Sequence, residues 1–270
     1  MKKLLTILFI ASHSINSSFA QQNTAELIAA EKSFNNKAKE TDTKTAFLSF
    51  LADDGVVFQK GTAVNGKQVW SERNADQTQL SWRPVSAMIS SGGDLGYTTG
   101  PWEFRESLNA TEASDFGEYF TVWKRQKDGK LKVMADLGIN HQKTELPPTI
   151  KVSSAGITAG NPISVLELEN HFILDENASG SKIYVNYLGS SVHILRQGEG
   201  PFTSVRALAE LTPVTYQFTF IGGETAKSKD LAYAYGNVTY LLNGKHREGN
   251  YLRVWKVEHG QWKIVAEVIN

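Results

Sequence analysis

The feature that most restricts how this chain can fold is that it carries one unit twice. The octet GEYFTVWK at 117–124 agrees with GNYLRVWK at 249–256 in five of eight positions. The segments that follow, DGKLKVMAD and HGQWKIVAE, keep Gly129/Gly260, Lys132/Lys263 and Ala135/Ala266. Upstream, GDLGYTTG at 93–100 parallels KDLAYAYG at 229–236, and FLADDGVVFQKG at 50–61 parallels YLGSSVHILRQG at 187–198. Glu31 and Phe34 parallel Glu169 and Phe172, so the offsets run 138, 137, 136, 132 and 131 along the chain. Chance matches would scatter, whereas a duplication with small loop deletions drifts in one direction, as these do. Two domains are expected, 22–142 and 160–270. The linker between them, 143–159, is broken by Pro147-Pro148, Ser153-Ser154 and Gly156.

Residues 1–20, MKKLLTILFIASHSINSSFA, read as a removable secretory leader cut after Ala20. Lys2 and Lys3 form its positive start, 4–11 its apolar stretch, and Ser18-Phe19-Ala20 a small-x-small cleavage site. Such a stretch is too short for a bilayer core of ~30 Å, which takes ~20 helical residues. No later apolar run is long enough either, so a periplasmic or secreted protein with no membrane span is expected. The whole chain holds 28 Lys+Arg and 28 Asp+Glu; without the two leader lysines 26 and 28 remain, a net charge of about −2. That balance, with no Lys/Arg runs, argues against an electrostatic nucleic-acid binder. Zero cysteines exclude disulfides, thiolate metal sites and a cysteine nucleophile.

Within each copy helical signals precede strand signals. Leu27, Ala30, Phe34 and Ala38 recur at i, i+3, i+7 and i+11 and predict a helix with Thr24 as its cap. Residues 42–51 suit a second short helix, 55–59 a first strand and 64–75 a third helix. Strands follow at 80–90, 94–105, 118–126 and 131–139, and the turn Lys127-Asp128-Gly129-Lys130 closes a hairpin that His259-Gly260 matches. Helices ahead of an antiparallel meander make an α+β fold rather than an alternating βαβ one.

A Glu-x-x-Phe pair on the first helix, then FLADDGVVF, a Gly-Tyr-rich strand and a closing Y-x-x-VWK…G-x-x-K hairpin resemble the nuclear transport factor 2-like superfamily. Within it the chain is similar to the SnoaL-like domains of unknown function common in bacterial exported proteins. The resemblance spans both halves. It implies two tandem cone-shaped domains, each with N-terminal helices packed in a curved antiparallel sheet around an apolar pocket. That superfamily holds isomerases, cyclases, dehydratases, ligand binders and dimerisation modules, so the fold by itself leaves function open.

Motifs that carry chemistry are scarce. There is no H-E-x-x-H, P-loop or G-x-S-x-G, and the histidines at 141, 171, 193, 246 and 259 have no ligand spacing, so neither a metal nor a cofactor is expected. An enzyme on this fold would need a buried carboxylate, whose pKa rises toward the working pH and suits it to general base catalysis, with a second donor to stabilise an enolate. Asp54, at the mouth of the first strand, is the candidate; its counterpart is Ser191, which would confine the chemistry to one copy. Glu31 and Glu169, repeated on or beside the apolar helix face, are expected to make a structural hydrogen bond or to sit exposed at the edge of the stripe, rather than to act in catalysis. On the last strand, strict alternation sends Lys132 and Lys263 to solvent and Asp136 and Glu267 with them, leaving Ala135, Ala266 and aliphatics inside. Members of the resembled family often carry polar or histidine residues on that inner face, so the expectation weakens an enzymatic reading.

The remaining candidates are mostly aromatic. Trp82, Tyr97, Trp102, Tyr119 and Trp123 in the first copy, and His193, Tyr233, Tyr235, Arg253 and Trp255 in the second, are the expected lining of pockets for a small apolar or aromatic ligand. Three readings follow. One is an exported, non-catalytic tandem protein that binds such a ligand or a protein partner. The second is a SnoaL-like cyclase, isomerase or dehydratase working through Asp54. The third is an assembly module whose two copies pair face to face as an intramolecular pseudo-dimer. The shortage of acid–base groups favours the first over the second, and the third does not exclude the first.

Overall fold

The computed structural model describes residues 2–270 apart from 75, 146–148, 156–162, 205 and 207–213, and leaves out the side chains of 2–20, 154 and 181. Pro147-Pro148, Gly156, the expected domain start at 160 and the side chains of the expected cleavage site therefore lie outside the described residues.

In the first half, α1 (Lys2–Glu40) and α2 (Thr43–Phe50) come before β1 (Leu51–Gln59), β2 (Thr62–Asn65), α3 (Gly66–Glu72), β3 (Gln79–Trp82), β4 (Ser86–Ile89), β5 (Leu95–Arg105), β6 (Asp115–Arg125) and β7 (Leu131–Asn140). Asp42 caps α2 by accepting from the Thr45 amide at 2.8 Å, and Asn65 caps α3 by accepting from the Gln68 amide at 2.9 Å. Thr24 does not cap α1, contrary to expectation. The residues before it are Leu- and Ile-rich with no Pro or Gly, so the helix runs on through them. The expected strand at 80–90 is two strands, β3 and β4, divided by Pro84, which has no N–H to continue a ladder. Part of the linker is regular: β8 (Lys151–Ser154) adds to the sheet in parallel beside β4.

The second half repeats the plan with α4 (Val165–Ser179), α5 (Tyr184–Tyr187), β9 (Leu188–Arg196), β10 (Glu199–Phe202), β11 (Tyr216–Thr225), β12 (Leu231–Leu242), β13 (Lys245–Glu258) and β14 (Gln261–Ile269). Ser164 and Glu167 form a capping box at the start of α4. The sheet orders are β2-β1-β7-β6-β5-β4-β8, with β3 on β5, and β10-β9-β14-β13-β12-β11. The fold is α+β, built as two tandem helix-and-sheet units.

Both sheets carry a bulge at the same place. Val122 pairs with Ala135 but Trp123 with Val133, leaving Met134 extra; Val254 pairs with Ala266 but Trp255 with Ile264, leaving Val265 extra. A bulge inverts the alternation beyond it. Asp136 therefore lies opposite Thr121, and Glu267 opposite Arg253, on the inner faces that also carry Trp123 and Trp255. The expectation that both acids face solvent is overturned; Glu267 is 0% exposed.

Three cores result. Leu27, Phe34, Phe47, Leu51, Trp82 and Trp123 pack inside the first unit. Leu168, Phe172, Tyr216, Phe218, Tyr251 and Trp255 pack inside the second. The opposite faces of the two sheets meet in a third core, where Tyr97, Phe120 and Leu137 pack with Leu195, Tyr233, Leu252 and Val268. Its edge is stitched reciprocally: the Ser91 amide donates to Asp230 at 2.8 Å, and the Lys227 amide donates to Asp94 at 3.0 Å.

Candidate functional site

The inner face of the first unit carries a partly open cavity of ≈570 Å³. Phe34 from α1, Trp82 from β3, Trp102 from β5, Tyr119 and Thr121 from β6, and Asp136 from β7 form its walls, with Arg73 and Asp115 exposed among its lining. The Arg73 guanidinium lies 4.0 Å from the Trp70 ring centroid.

Asp136 accepts a hydrogen bond from the Thr121 hydroxyl at 2.6 Å. Burial pushes its carboxyl up to about 6, against the pull of that bond. Glu31 is fully buried next to the cavity walls. One oxygen accepts from Trp82 Nε1 at 2.5 Å; the other accepts from Trp123 Nε1 at 3.0 Å and from the Thr98 hydroxyl. Burial raises Glu31 to about 7; these donors oppose the rise and the charge of Asp136 adds to it. The Tyr119 hydroxyl is buried beside Thr98 and Glu31. Burial moves it well above its ordinary value, with Glu31's charge adding. The site thus combines aromatic walls, two carboxylates held toward neutrality and a buried phenol.

The second unit keeps the plan but fills it. By the aligned octets, Tyr119, Thr121 and Trp123 correspond to Tyr251, Arg253 and Trp255, while Glu31 and Asp136 correspond to Glu169 and Glu267. Arg253, 0% exposed, donates to Glu169 at 2.7 Å and to Glu267 at 2.5 Å. Arg196 donates to the other Glu267 oxygen at 2.5 Å. Tyr251 and Trp255 complete the shell of Glu169 at 3.0 and 2.5 Å. Burial disfavours the Glu267 charge, but Arg253 and Arg196 outweigh it and hold the carboxyl below its ordinary value.

The sequence-predicted residues divide among these regions. Trp82, Trp102 and Tyr119 line the cavity, and Trp123 packs in the same core. Arg253 and Trp255 belong to the filled interior of the second unit. Tyr97, Tyr233 and Tyr235 pack in or against the core between the sheets. His193 is buried and pairs with Ala266 of that same core; burial pushes its imidazole down to about 4, with Lys151 adding. Asp54 is exposed and takes no part in the cavity lining, because the pairing of β1 with β7 is irregular between Leu51 and Val56 and turns this stretch outward. Sequence reasoning missed Thr121 and Asp136. The signal was there: Val133-Met134-Ala135 and Ile264-Val265-Ala266 are apolar triplets that break the alternation at one place in both copies. Among the described residues, no group of His, Asp and Glu could hold a metal ion, and no helix is long and apolar enough to cross a membrane.

Many solved structures that match part of this chain are nuclear transport factor 2-like proteins. An NTF-2-like protein of unknown function from Shewanella oneidensis is 12% identical, matching 39% of this chain and 94% of its own with a TM-score of 0.31. A candidate ketosteroid isomerase from Parabacteroides distasonis is 17% identical over 42% of this chain and 95% of its own, TM-score 0.33. A Catenulispora acidiphila protein solved in complex with S-DNPA is 13% identical over 43% and 91%, TM-score 0.34. Each match spans about two fifths of the chain. No protein-family model and no curated protein matches the sequence. Likeness at this level concerns fold and says nothing of activity.

Proposed function

We propose that this is an exported two-domain protein whose first domain binds a small apolar or aromatic molecule in the cavity over Asp136, while the second is a filled copy. The observation that carries the reading is the ≈570 Å³ cavity walled by Phe34, Trp82, Trp102 and Tyr119. Its size falls in the range of ~300–1,000 Å³ usual for small-molecule sites. The two domains act as an intramolecular pseudo-dimer. Asp94 and Asp230 each accept from an amide three residues before the other's position, at 227 and 91, the exchange that a two-fold interface requires.

A thermal-shift panel of sterols, polyketide-like aromatics, fatty acids and sugars tests the binding reading. A bound compound at a hundredfold excess over Kd adds ~2.7 kcal/mol to stability. A raised melting temperature that Trp82→Ala abolishes supports the cavity; silence across the panel counts against it. Export rests on the leader sequence and predicts a mature N-terminus at Gln21, which N-terminal sequencing of the periplasmic or secreted protein checks.

A second reading, acid–base catalysis of the cyclase or isomerase kind, is favoured by one observation: burial raises Asp136 to about 6 on the wall that also carries Tyr119. In that reading Asp136, rather than Asp54, takes the proton, with the Tyr119 ring beside it on the cavity wall. Asp136→Asn should then abolish turnover of any substrate found, with Asp54→Asn active.

A further inference from the structure

The filled interior of the second unit shows what the first is shaped to hold. The Arg253 guanidinium lies 4.2, 4.7, 4.8 and 5.9 Å from the ring centroids of Phe172, Phe218, Tyr251 and Trp255. The first unit keeps all four rings, as Phe34, Trp82, Tyr119 and Trp123. The match of Trp82 with Phe218 follows from the register, since they lie opposite Trp102 and Val238, each two residues past the matched octets. The ring contacts are also kept. Phe34 lies 4.8 Å from Trp82 and 6.1 Å from Trp123, with Trp82 6.4 Å from Tyr119. The corresponding pairs in the second unit are 5.8, 5.9 and 5.0 Å apart.

Both carboxylates persist as well, as Glu31 and Asp136. What is missing is the cation: Thr121 stands in place of Arg253, and the space holds a cavity. Glu31 has found neutral donors in Trp82, Trp123 and Thr98. Asp136 faces the cavity with a hydroxyl bond from Thr121 where Glu267 receives two guanidinium groups. Aromatic faces and a carboxylate in a partly enclosed space are the recognition elements of an organic cation. Arg73, the cation among the lining residues, is exposed and stacks on Trp70, and the carboxylate of Asp115 lines the same cavity.

We propose that the first domain's cavity is a receptor for a small organic monocation, bearing a guanidinium, amidinium or ammonium group on an aromatic or apolar body, seated where Arg253 sits in the second domain. This deepens the ligand-binding reading and rests on it.

Calorimetric titration of the purified protein with benzamidinium, its neutral near-isostere benzamide and the anion benzoate tests it. Benzamidinium should bind at least roughly tenfold more tightly than benzamide, the scale of one charge-assisted contact, and benzoate weakest. Asp136→Asn, which keeps the shape, should remove that preference. Thr121→Arg should block all three by supplying the guanidinium internally; should that variant not fold, the Asp136→Asn comparison decides alone. Equal binding of benzamide and benzamidinium overturns the cation assignment while leaving the cavity reading intact. Binding by none of the three also overturns it, and the apolar panel then judges the cavity reading separately.

Discussion

The two interiors share a sheet order, a bulge, four aromatic rings and a pair of carboxylates, yet one is filled and the other is hollow. In the second unit Arg253 bridges Glu169 and Glu267 in a fully buried network. In the first, Thr121 occupies that strand position, the carboxylates rise toward neutrality, and a cavity remains. The difference teaches how a duplicated fold can divide its labour. One copy settles its buried acids with its own cation and becomes a sealed core. The other leaves them to hydroxyl and indole donors, keeping room for a visitor. The sealed copy also backs the open one, because the two sheets share a core.

The largest expected effect breaks the filled side. Arg253→Met leaves Glu169 and Glu267 buried without their shared cation and should cost about 3–5 kcal/mol, read by denaturant unfolding. A loss under ~1 kcal/mol would mean that the network does not hold the second interior together.

Next in size is the pH response, which should differ in sign between the copies. Glu31 has a folded-state pKa of about 7 against an ordinary 4.5, so the native state holds its proton more tightly than the unfolded chain. Its contribution is therefore fullest below about 4.5 and is lost as pH rises toward about 7, a change of roughly 3 kcal/mol. Glu267, held low, acts in reverse: its contribution is present above 4.5 and lost as pH falls through its folded value. Glu31→Gln should flatten the stability slope between pH 5 and 8, and an unchanged slope would remove Glu31 as its source.

Smaller still, Trp82→Phe deletes one donor to Glu31 and should cost about 1–3 kcal/mol while steepening the same slope. Asp54→Asn should stay within about 0.5 kcal/mol and leave ligand binding untouched. A loss of binding there would return Asp54 to the site.

Much of this was legible before any coordinates. The drifting offsets exposed the duplication, and Glu31 and Glu169 stood out as a repeated pair beside the apolar helix face. Other features were hidden for identifiable reasons. A one-residue bulge reverses strand parity, and strict alternation carried past Met134 and Val265 put the key acids on the wrong face. Rings on strands look alike whichever face they take, so Tyr97 and Tyr233 of the inter-sheet core could not be told from Trp82 and Tyr119 of the cavity. The Thr121/Arg253 exchange stood in plain view within the matched octets. Its meaning needed the knowledge that this position points inward.

The most direct measurement is a crystal structure of the Thr121→Arg variant. The introduced guanidinium should turn inward between Asp136 and Glu31, ringed by Phe34, Trp82 and Tyr119, with the cavity filled as in the second unit. A guanidinium directed to solvent above an unchanged cavity would contradict the claim that this single position decides between an open interior and a sealed one.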